Sequence, residues 1–154
     1  MTYKIDNINW KLIERENEKL EDRMFVPGMK CLGNKKLWYD KKERIAVFAS
    51  RSQDPVVAIA REHWAKYQGR YGKCIVSTFH SRAECEILFF VLTHGGSAIW
   101  LLGRSLPTEL NGICKMALRQ KRLLIISCFN RDHHTRETSR YCAHLAATKS
   151  KHHV

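Results

Sequence analysis

Short, continuously hydrophobic runs alternate with amphipathic stretches from residue 44 onward. The runs cover residues 45–49, 74–77, 98–102 and 123–127. Because a strand that is covered on both faces is apolar at every position, these runs predict strands of a mostly parallel sheet. The stretches between and after them predict helices over residues 55–68, 81–93, 107–120 and 135–147. The alternating order predicts an α/β domain of about four strands with helices on both faces of the sheet.

Local signals mark where these helices begin and how the chain is divided. Pro55 and Pro107 suit the first turn of a helix, where a backbone N–H has no partner within the helix. Ser81 and Glu84 have the spacing of a capping box, in which each side chain accepts a hydrogen bond from the other's backbone N–H. A broken apolar stripe over residues 6–24 predicts an N-terminal helix. We therefore expect this helix and a connecting segment at 1–43, the α/β domain at 44–148 and a disordered tail at 149–154.

The chain is strongly basic. Its 154 residues include 27 lysines and arginines against 15 aspartates and glutamates, so the formal net charge is +12 at pH 7. Such an excess favours polyanionic partners through Coulomb attraction and counterion release, and nucleic acid is the first candidate. The alternative is a solvated basic surface that serves solubility alone.

Cysteine usage and the N-terminus indicate the compartment. The six cysteines form no Cys-x-x-Cys pair and have no zinc-binding spacing with histidine, so they are expected to be reduced and mostly buried. Residues 1–6 lack an apolar signal core, and no run approaches the ~18 apolar residues that a membrane helix needs. We expect a soluble, cytoplasmic protein with no membrane partner, no bound metal and no cofactor.

Each predicted strand is followed by a segment that contains an arginine, and three of these segments add hydroxyl groups. They are Ser50-Arg51-Ser52, Thr78-Phe79-His80-Ser81-Arg82, Gly103-Arg104-Ser105 and Cys128-Phe129-Asn130-Arg131. In an open α/β sheet, ligands bind beyond the carboxyl ends of the strands, and guanidinium and hydroxyl groups suit phosphate oxygens. The alternative for any single arginine is a solvated loop charge.

Three further features extend or limit this predicted phosphate site. Phe79 is a candidate for base stacking, with a core position as the alternative. Ser77 ends the second strand, where it either contacts phosphate or caps a local turn. Arg136 and Arg140 lie one turn apart on the predicted last helix and extend the basic track, unless that helix face is merely solvated.

The sequence carries no signature of the common nucleotide-dependent or metal-dependent enzymes. It contains no Gly-rich phosphate loop, no Gly-x-Gly-x-x-Gly, no nucleophile elbow and no His-Glu-x-x-His. Glu84, Glu86 and His80 are a candidate acid and base set near the predicted pocket, and capping explains Glu84 more simply. We therefore predict no catalytic residues and a non-enzymatic role.

Several blocks of the sequence, taken in order, resemble the DNA-processing protein A (DprA, or Smf) family. They are CLGNKKL at 31–37, IAVFASR at 45–51, IVSTFHS at 75–81, GGSAIWLLGRSL at 95–106 and LLIISCF at 123–129. The resemblance spans about residues 26–147 and implies a Rossmann-like fold. It also implies a protein without enzymatic activity that grips single-stranded DNA by its phosphates and hands it to a recombinase.

The resemblance implies phosphate contacts at Ser50, Arg51, Ser77, Phe79 and Arg104. The chain departs from the family in its phosphate loop, because STFHSRAE at 77–84 lacks the family's two glycines and has Glu84 where the family has aspartate. Close approach of the backbone to phosphate is harder without glycine. The family's last strands and winged helix have no counterpart here, so a recombination protein as partner and a homodimer are weaker expectations than DNA binding.

Three functions follow from these observations. The first is single-stranded nucleic-acid binding, with Arg51, Arg82, Arg104, Arg131 and Arg136 holding phosphates and Phe79 or His80 stacking on bases. The second is a nucleotide-binding protein or enzyme like the lysine-decarboxylase-like LOG proteins, although their phosphate-binding glycines are missing. The third is a protein-interaction domain with Trp10, Trp38 or Trp64 as exposed anchors.

Overall fold

The computed structural model describes residues 2–4, 30–39, 44–49, 54–127, 142 and 152–153. The elements in chain order are β1 (Thr2–Lys4), β2 (Lys30–Gly33), α1 (Lys36–Tyr39), β3 (Arg44–Ala46), α2 (Pro55–Arg70), β4 (Cys74–Ser77), α3 (Arg82–Thr93), β5 (Ser97–Leu102), β6 (Glu109–Asn111), α4 (Gly112–Arg119), β7 (Leu123–Ser127) and β8 (His152–His153). The helices predicted at 6–24 and 135–147 lie outside the described residues, apart from Cys142, which is helical.

The main sheet has six strands in the order β2-β7-β5-β4-β3-β8. Its centre is parallel, because β3 pairs with β4, β4 with β5, and β5 with β7 in the same direction. These are the four strands that the hydrophobic runs predict. β2 adds an antiparallel edge next to β7. β8 pairs in parallel with β3. It lies within residues 149–154, for which the sequence predicts a disordered tail.

Two hydrophobic clusters cover the two faces of the sheet. One face packs against the crossover helices α2, α3 and α4, whose buried residues include Ala65, Leu92 and Ala117. The other face packs against Trp38 of α1 and against Cys142. Every residue of β4 and β7 is buried, because both of their faces are covered. The predicted α/β sheet with helices on both faces is therefore confirmed.

Two of the predicted helix starts are confirmed and one is wrong. Pro55 occupies the first turn of α2 behind the N-cap Asp54, and α3 begins with the full capping box of Ser81 and Glu84. Pro107 does not begin a helix. Residues 109–111 form β6 instead, because they pair antiparallel with β1, and α4 starts at Gly112 behind the N-cap Asn111.

The three crossover helices end in the same way. After each helix a residue in the left-handed region reverses the chain, and the next N–H donates to a carbonyl five residues back, as in the Schellman motif. These bonds join Lys73 to Gln68, Gly96 to Val91 and Arg122 to Ala117. The left-handed residue is Gly72 after α2 and Gly95 after α3, but it is Lys121 after α4. Glycine adopts this conformation without strain, so Lys121 is the exception.

The cysteines agree with the predicted reduced state. Within the described residues, Cys31, Cys74, Cys85, Cys114 and Cys142 are free thiols, and all except Cys85 are buried. None of the helices in this part of the chain is long and apolar enough to cross a membrane.

Candidate nucleic-acid interface

The carboxyl ends of the four parallel strands lie side by side at one edge of the sheet. We call the described segments that follow them, residues 47–49, 78–82 and 103–105, the rim. Side chains tie neighbouring segments together. Ser81 Oγ donates to the carbonyl of Ala49 at 2.8 Å, Trp100 Nε1 to the carbonyl of Thr78 at 2.9 Å, and Ser127 Oγ to the carbonyl of Arg104 at 2.6 Å. Segments that are distant in sequence therefore form one continuous edge.

Glu84 uses the backbone donors at the start of α3. Its carboxylate accepts hydrogen bonds from the N–H groups of His80 and Ser81, both at 3.1 Å, and of Ala49 at 3.3 Å. The side chain is buried, with Glu84 only 7% exposed. Amides at a helix N-terminus are the usual partners of a phosphate in this fold class. Here the protein's own carboxylate takes that place.

Phe79 and Ser77 lie in the interior. Phe79 is 3% exposed, and its ring meets Trp100 edge-on with the ring centroids 6.3 Å apart. Its φ of 44° lies in the left-handed region, and its N–H donates to Ser77 Oγ at 3.2 Å. Ser77 has no exposed surface. The prediction of Phe79 as an exposed stacking ring is therefore wrong, and Ser77 stabilises a local turn.

The rim exposes cationic and polar side chains together with the aromatic ring of Phe48, which is 42% exposed. His80 and Arg82 are exposed, while Arg104 and Ser105 are partly exposed and Gly103 is buried. The Arg82 side chain is 92% exposed and pairs with Glu86 one turn further along α3, at 3.5 Å. The rim thus presents Arg82, His80 and Arg104 to solvent, as phosphate binding requires.

Six of the predicted site residues lie outside the described residues: Ser50, Arg51, Ser52, Arg131, Arg136 and Arg140. By sequence, the first three follow the end of β3, and Arg131 follows the end of β7. Their roles in phosphate binding stay predictions.

Two thiols lie behind the rim. Cys85 Sγ, in the first turn of α3, donates to the carbonyl of Phe79 at 3.0 Å. Burial raises the pKa of Cys85, and the nearby carboxylates of Glu84 and Glu86 raise it further. Burial also raises the pKa of Cys114 to about 11. Both shifts favour the protonated thiol over the thiolate at neutral pH.

Two surface cavities were not predicted from the sequence. One of about 500 Å³ lies between α2 and α3, where Ile59, Phe89 and Phe90 form an apolar floor beside Arg82 and Glu86. The other, of about 410 Å³, lies at the opposite end of the sheet, next to Gly33, Lys36 and Lys121. A turn signal followed by two lysines, Gly33-Asn34-Lys35-Lys36, was the only hint of the second cavity in the sequence.

Trp38 and Trp64 were predicted as exposed anchors for a protein partner, and neither is exposed. Trp38 is 1% exposed in the core of the second face, so its predicted role is wrong. Trp64 is partly buried and packs against the first cluster. Trp10 lies outside the described residues.

Comparison with known proteins identifies the fold through structure rather than sequence. No protein-family model matches the chain, and no curated protein matches it by sequence. DNA processing protein A from Helicobacter pylori, whose structure revealed its single-stranded DNA binding mode, superposes with a TM-score of 0.64 at 18% identity, over 99% of this chain and 67% of that chain. DprA from Streptococcus pneumoniae gives a TM-score of 0.61 at 18% identity, over 79% of this chain and 43% of that chain. The chain therefore has the Rossmann-like α/β fold of the DNA processing protein A structures.

Proposed function

We propose that this protein binds single-stranded nucleic acid through backbone phosphates, and that the rim is the contact surface. The observation that carries the proposal is the set of hydrogen bonds that joins neighbouring strand ends. They hold the segments that bear Arg82 and Arg104 along one edge. The fold likeness to the Helicobacter pylori protein, which binds single-stranded DNA, supports the same ligand.

The chemistry of the rim favours phosphate over bases as the main contact. Arg82 and Arg104 offer guanidinium groups, which bind phosphate oxygens in pairs. Because Phe79 is buried, His80 and Phe48 are the rings at the described rim that remain exposed for stacking. Arg51 and Arg131, which follow the outer two strands in sequence, extend the same series in this proposal.

A titration of labelled oligothymidylate at two salt concentrations tests the proposal. For single strands, log K falls with log salt with a slope of about −0.7 per phosphate contact. We expect Arg104→Ala to weaken binding about tenfold and to reduce the slope by about 0.7. The matched control is Arg70→Ala, which removes an equal charge from the exposed end of α2. Salt-independent binding, or equal losses in both variants, would overturn the proposal.

We extend the proposal to a role in DNA processing or recombination, with a recombination protein as partner and a homodimer as the assembly. The support is the fold likeness to DNA processing protein A. Light scattering with and without the oligonucleotide tests the assembly. A mass of one chain under both conditions would remove the homodimer without affecting DNA binding by the rim.

A further inference from the structure

A cationic cavity lies at the end of the sheet opposite the rim. We call it the lysine hollow. It has a volume of about 410 Å³ and is lined by Gly33, Asn34, Lys35, Lys36, Leu118 and Lys121. Gly33, at the end of β2, pairs with Leu124 near the start of β7, so the hollow lies where the parallel strands begin. It is therefore separate from the strand ends to which the proposed function assigns nucleic acid.

Asn34 holds the two sides of the hollow together. Its backbone N–H donates to the carbonyl of Leu123 at 3.0 Å, and its Nδ2 donates to the carbonyl of Lys121 at 2.8 Å. Its Oδ1 accepts from the N–H of Lys36 at 3.1 Å. These bonds join two segments that are 87 residues apart in sequence. Lys36 and Lys121 are thus held beside one cavity before any ligand arrives.

The backbone at the hollow is specialised for this arrangement. Gly33 has a φ of 112°, and a Cβ there would clash with the carbonyl oxygen of Leu123 and press on the Leu118 side chain. Lys121 has a φ of 60°, at the position that glycine occupies after the other two crossover helices. A side chain in this conformation is strained, so the lysine carries a cost that Gly72 and Gly95 avoid. A function for its amine would explain why it is there.

The described residues that line the hollow carry charges of one sign. The acidic residues in the part of the chain that the structure describes are Asp54, Glu62, Glu84, Glu86 and Glu109, and none of them lines the hollow. Arg122, next in sequence, donates instead to the carbonyls of Leu92 and Gly96 at 2.8 and 2.6 Å. Several lysines lining one cavity attract an anion, because each amine adds to the positive potential there.

We propose that the lysine hollow is a phosphate-binding site, distinct from the rim, for a phosphate group of a free nucleotide or of a nucleic-acid backbone. Its volume falls within the range of small-molecule pockets, about 300–1,000 Å³. Lys36 and Lys121 supply the charge, and Asn34 fixes the distance between the segments that carry them. The proposal does not depend on nucleic-acid binding at the rim.

Inorganic pyrophosphate is the probe, and calorimetric titration of the full chain is the measurement. The informative variant is Lys121→Gly, because it removes the amine and relieves the backbone strain. We expect it to raise Tm by about 2–4 °C and to weaken pyrophosphate binding at least about tenfold. Lys36→Gln should weaken binding to a similar degree at unchanged Tm. The matched control is Arg70→Gln with Lys73→Gln, two cations at the end of α2 outside the hollow, which should leave the affinity within about twofold.

Three outcomes would overturn the proposal: no pyrophosphate binding by the unaltered protein, equal affinity after Lys121→Gly, or an equal loss in the control. Asn34→Ala separates placement from charge. It keeps every lysine and should weaken pyrophosphate binding several-fold, whereas full affinity would show that fixed placement is not needed.

The source of the phosphate is distinguished in the Arg104→Ala background, in which the rim is weakened. Displacement of pyrophosphate by a mononucleotide but not by oligothymidylate identifies a free nucleotide. Displacement by the oligonucleotide identifies a backbone phosphate. Binding at the hollow without DNA binding by the unaltered protein would refute the proposed function and leave this proposal standing.

Discussion

The two ends of the parallel sheet differ in how their polar groups are used. At the rim, three backbone N–H groups are already bonded to Glu84, and Ser81 Oγ donates to the carbonyl of Ala49. At the lysine hollow, Asn34 bonds only backbone groups and leaves the amines of Lys36 and Lys121 beside an open cavity. The rim is therefore an edge joined by internal hydrogen bonds that carries exposed cations, and the hollow is a cavity whose two sides are joined by Asn34.

Because of this difference, the residues that stabilise the rim are not the ones that we expect to bind a ligand there. At the rim, buried groups such as Phe79 and Glu84 stabilise the edge, while Arg82 and Arg104 are available to a ligand. At the hollow, Lys121 affects both stability and the proposed binding, because its backbone ends α4 and the residue lines the cavity. Substitutions at the rim should therefore change either the free energy of unfolding or ligand affinity. A substitution at Lys121 should change both, in opposite directions.

The largest expected effect is that of Phe79→Ala at the rim. Phe79 is buried against Trp100, so its removal should lower the free energy of unfolding by about 3–5 kcal/mol. Urea denaturation measures this loss. The neighbouring variant His80→Ala is the control, because His80 is exposed, and it should stay within about 0.5 kcal/mol of the unaltered protein.

DNA titration of the same two variants sharpens the comparison. Folded Phe79→Ala should bind the oligonucleotide almost as tightly as the unaltered protein, whereas His80→Ala should bind more weakly. If Phe79→Ala lost affinity at unchanged stability, the ring would be a stacking surface after all.

Alkaline pH should lower the free energy of unfolding through Cys114, in α4. The thiol ionises near 9.0 in its unperturbed state and at about 11 in the fold, because burial disfavours the thiolate. Between these pH values the unfolded chain loses a proton that the folded protein keeps, so stability falls as pH rises. The expected loss from this group is about 2 kcal/mol by pH 11.

Comparison with Cys114→Ala isolates this contribution from other groups that titrate in the same range. The measurement is the free energy of unfolding of both proteins at pH 8 and pH 11. The unaltered protein should lose more stability than the variant over this interval. Parallel pH profiles would mean that Cys114 ionises normally in the fold.

Local sequence signals predicted the parts of the fold that local physics determines. The four continuous hydrophobic runs became the parallel strands, and Ser81 with Glu84 formed the capping box. The predicted helix start at Pro107 was wrong because of pairing between residues that are distant in sequence. Residues 109–111 look helical by periodicity, but strand β1, more than a hundred residues earlier, pairs with them. No pattern within residues 107–120 carries that information.

The candidate site was predictable in its residue types but not in its burial. The pattern placed Ser77, Phe79 and His80 together after a strand, yet it could not show that Phe79 is buried and His80 exposed. The lysine hollow could not be predicted from the sequence for a related reason. Lys36 and Lys121 are far apart in sequence, and only the antiparallel pairing of β2 with β7 brings their segments together.

Glu84→Gln should have a smaller effect than either core change. Glutamine keeps one acceptor oxygen but replaces the other with an NH₂ group, so at least one of three amides loses its partner. We expect the free energy of unfolding to fall by about 2 kcal/mol. The control is Glu86→Gln. The Glu86 carboxylate is partly exposed and pairs with Arg61 and Arg82, so this substitution should lower the free energy of unfolding by at most about 1 kcal/mol.

A thermal-shift series with inorganic phosphate then probes the amides that Glu84 releases. If the carboxylate occupies an anion position at the start of α3, phosphate should raise the Tm of Glu84→Gln more than that of the unaltered protein. Equal shifts would mean that the capping box is purely structural.

The smallest effect on stability is expected from Arg82→Ala. Arg82 and Arg61 both pair with Glu86, at 3.5 and 3.2 Å, but the Arg82 side chain is 92% exposed and that of Arg61 only 14%. Arg82→Ala should therefore leave the free energy of unfolding unchanged within error and weaken oligonucleotide binding in a salt-dependent manner. Arg61→Ala removes the same charge from the interior side of the pair, so it should lower stability and leave affinity unchanged. Urea denaturation measures the free energy of unfolding of both variants, and anisotropy titration measures their affinity for the oligonucleotide. Equal affinity losses would mean that net charge, rather than position at the rim, governs binding.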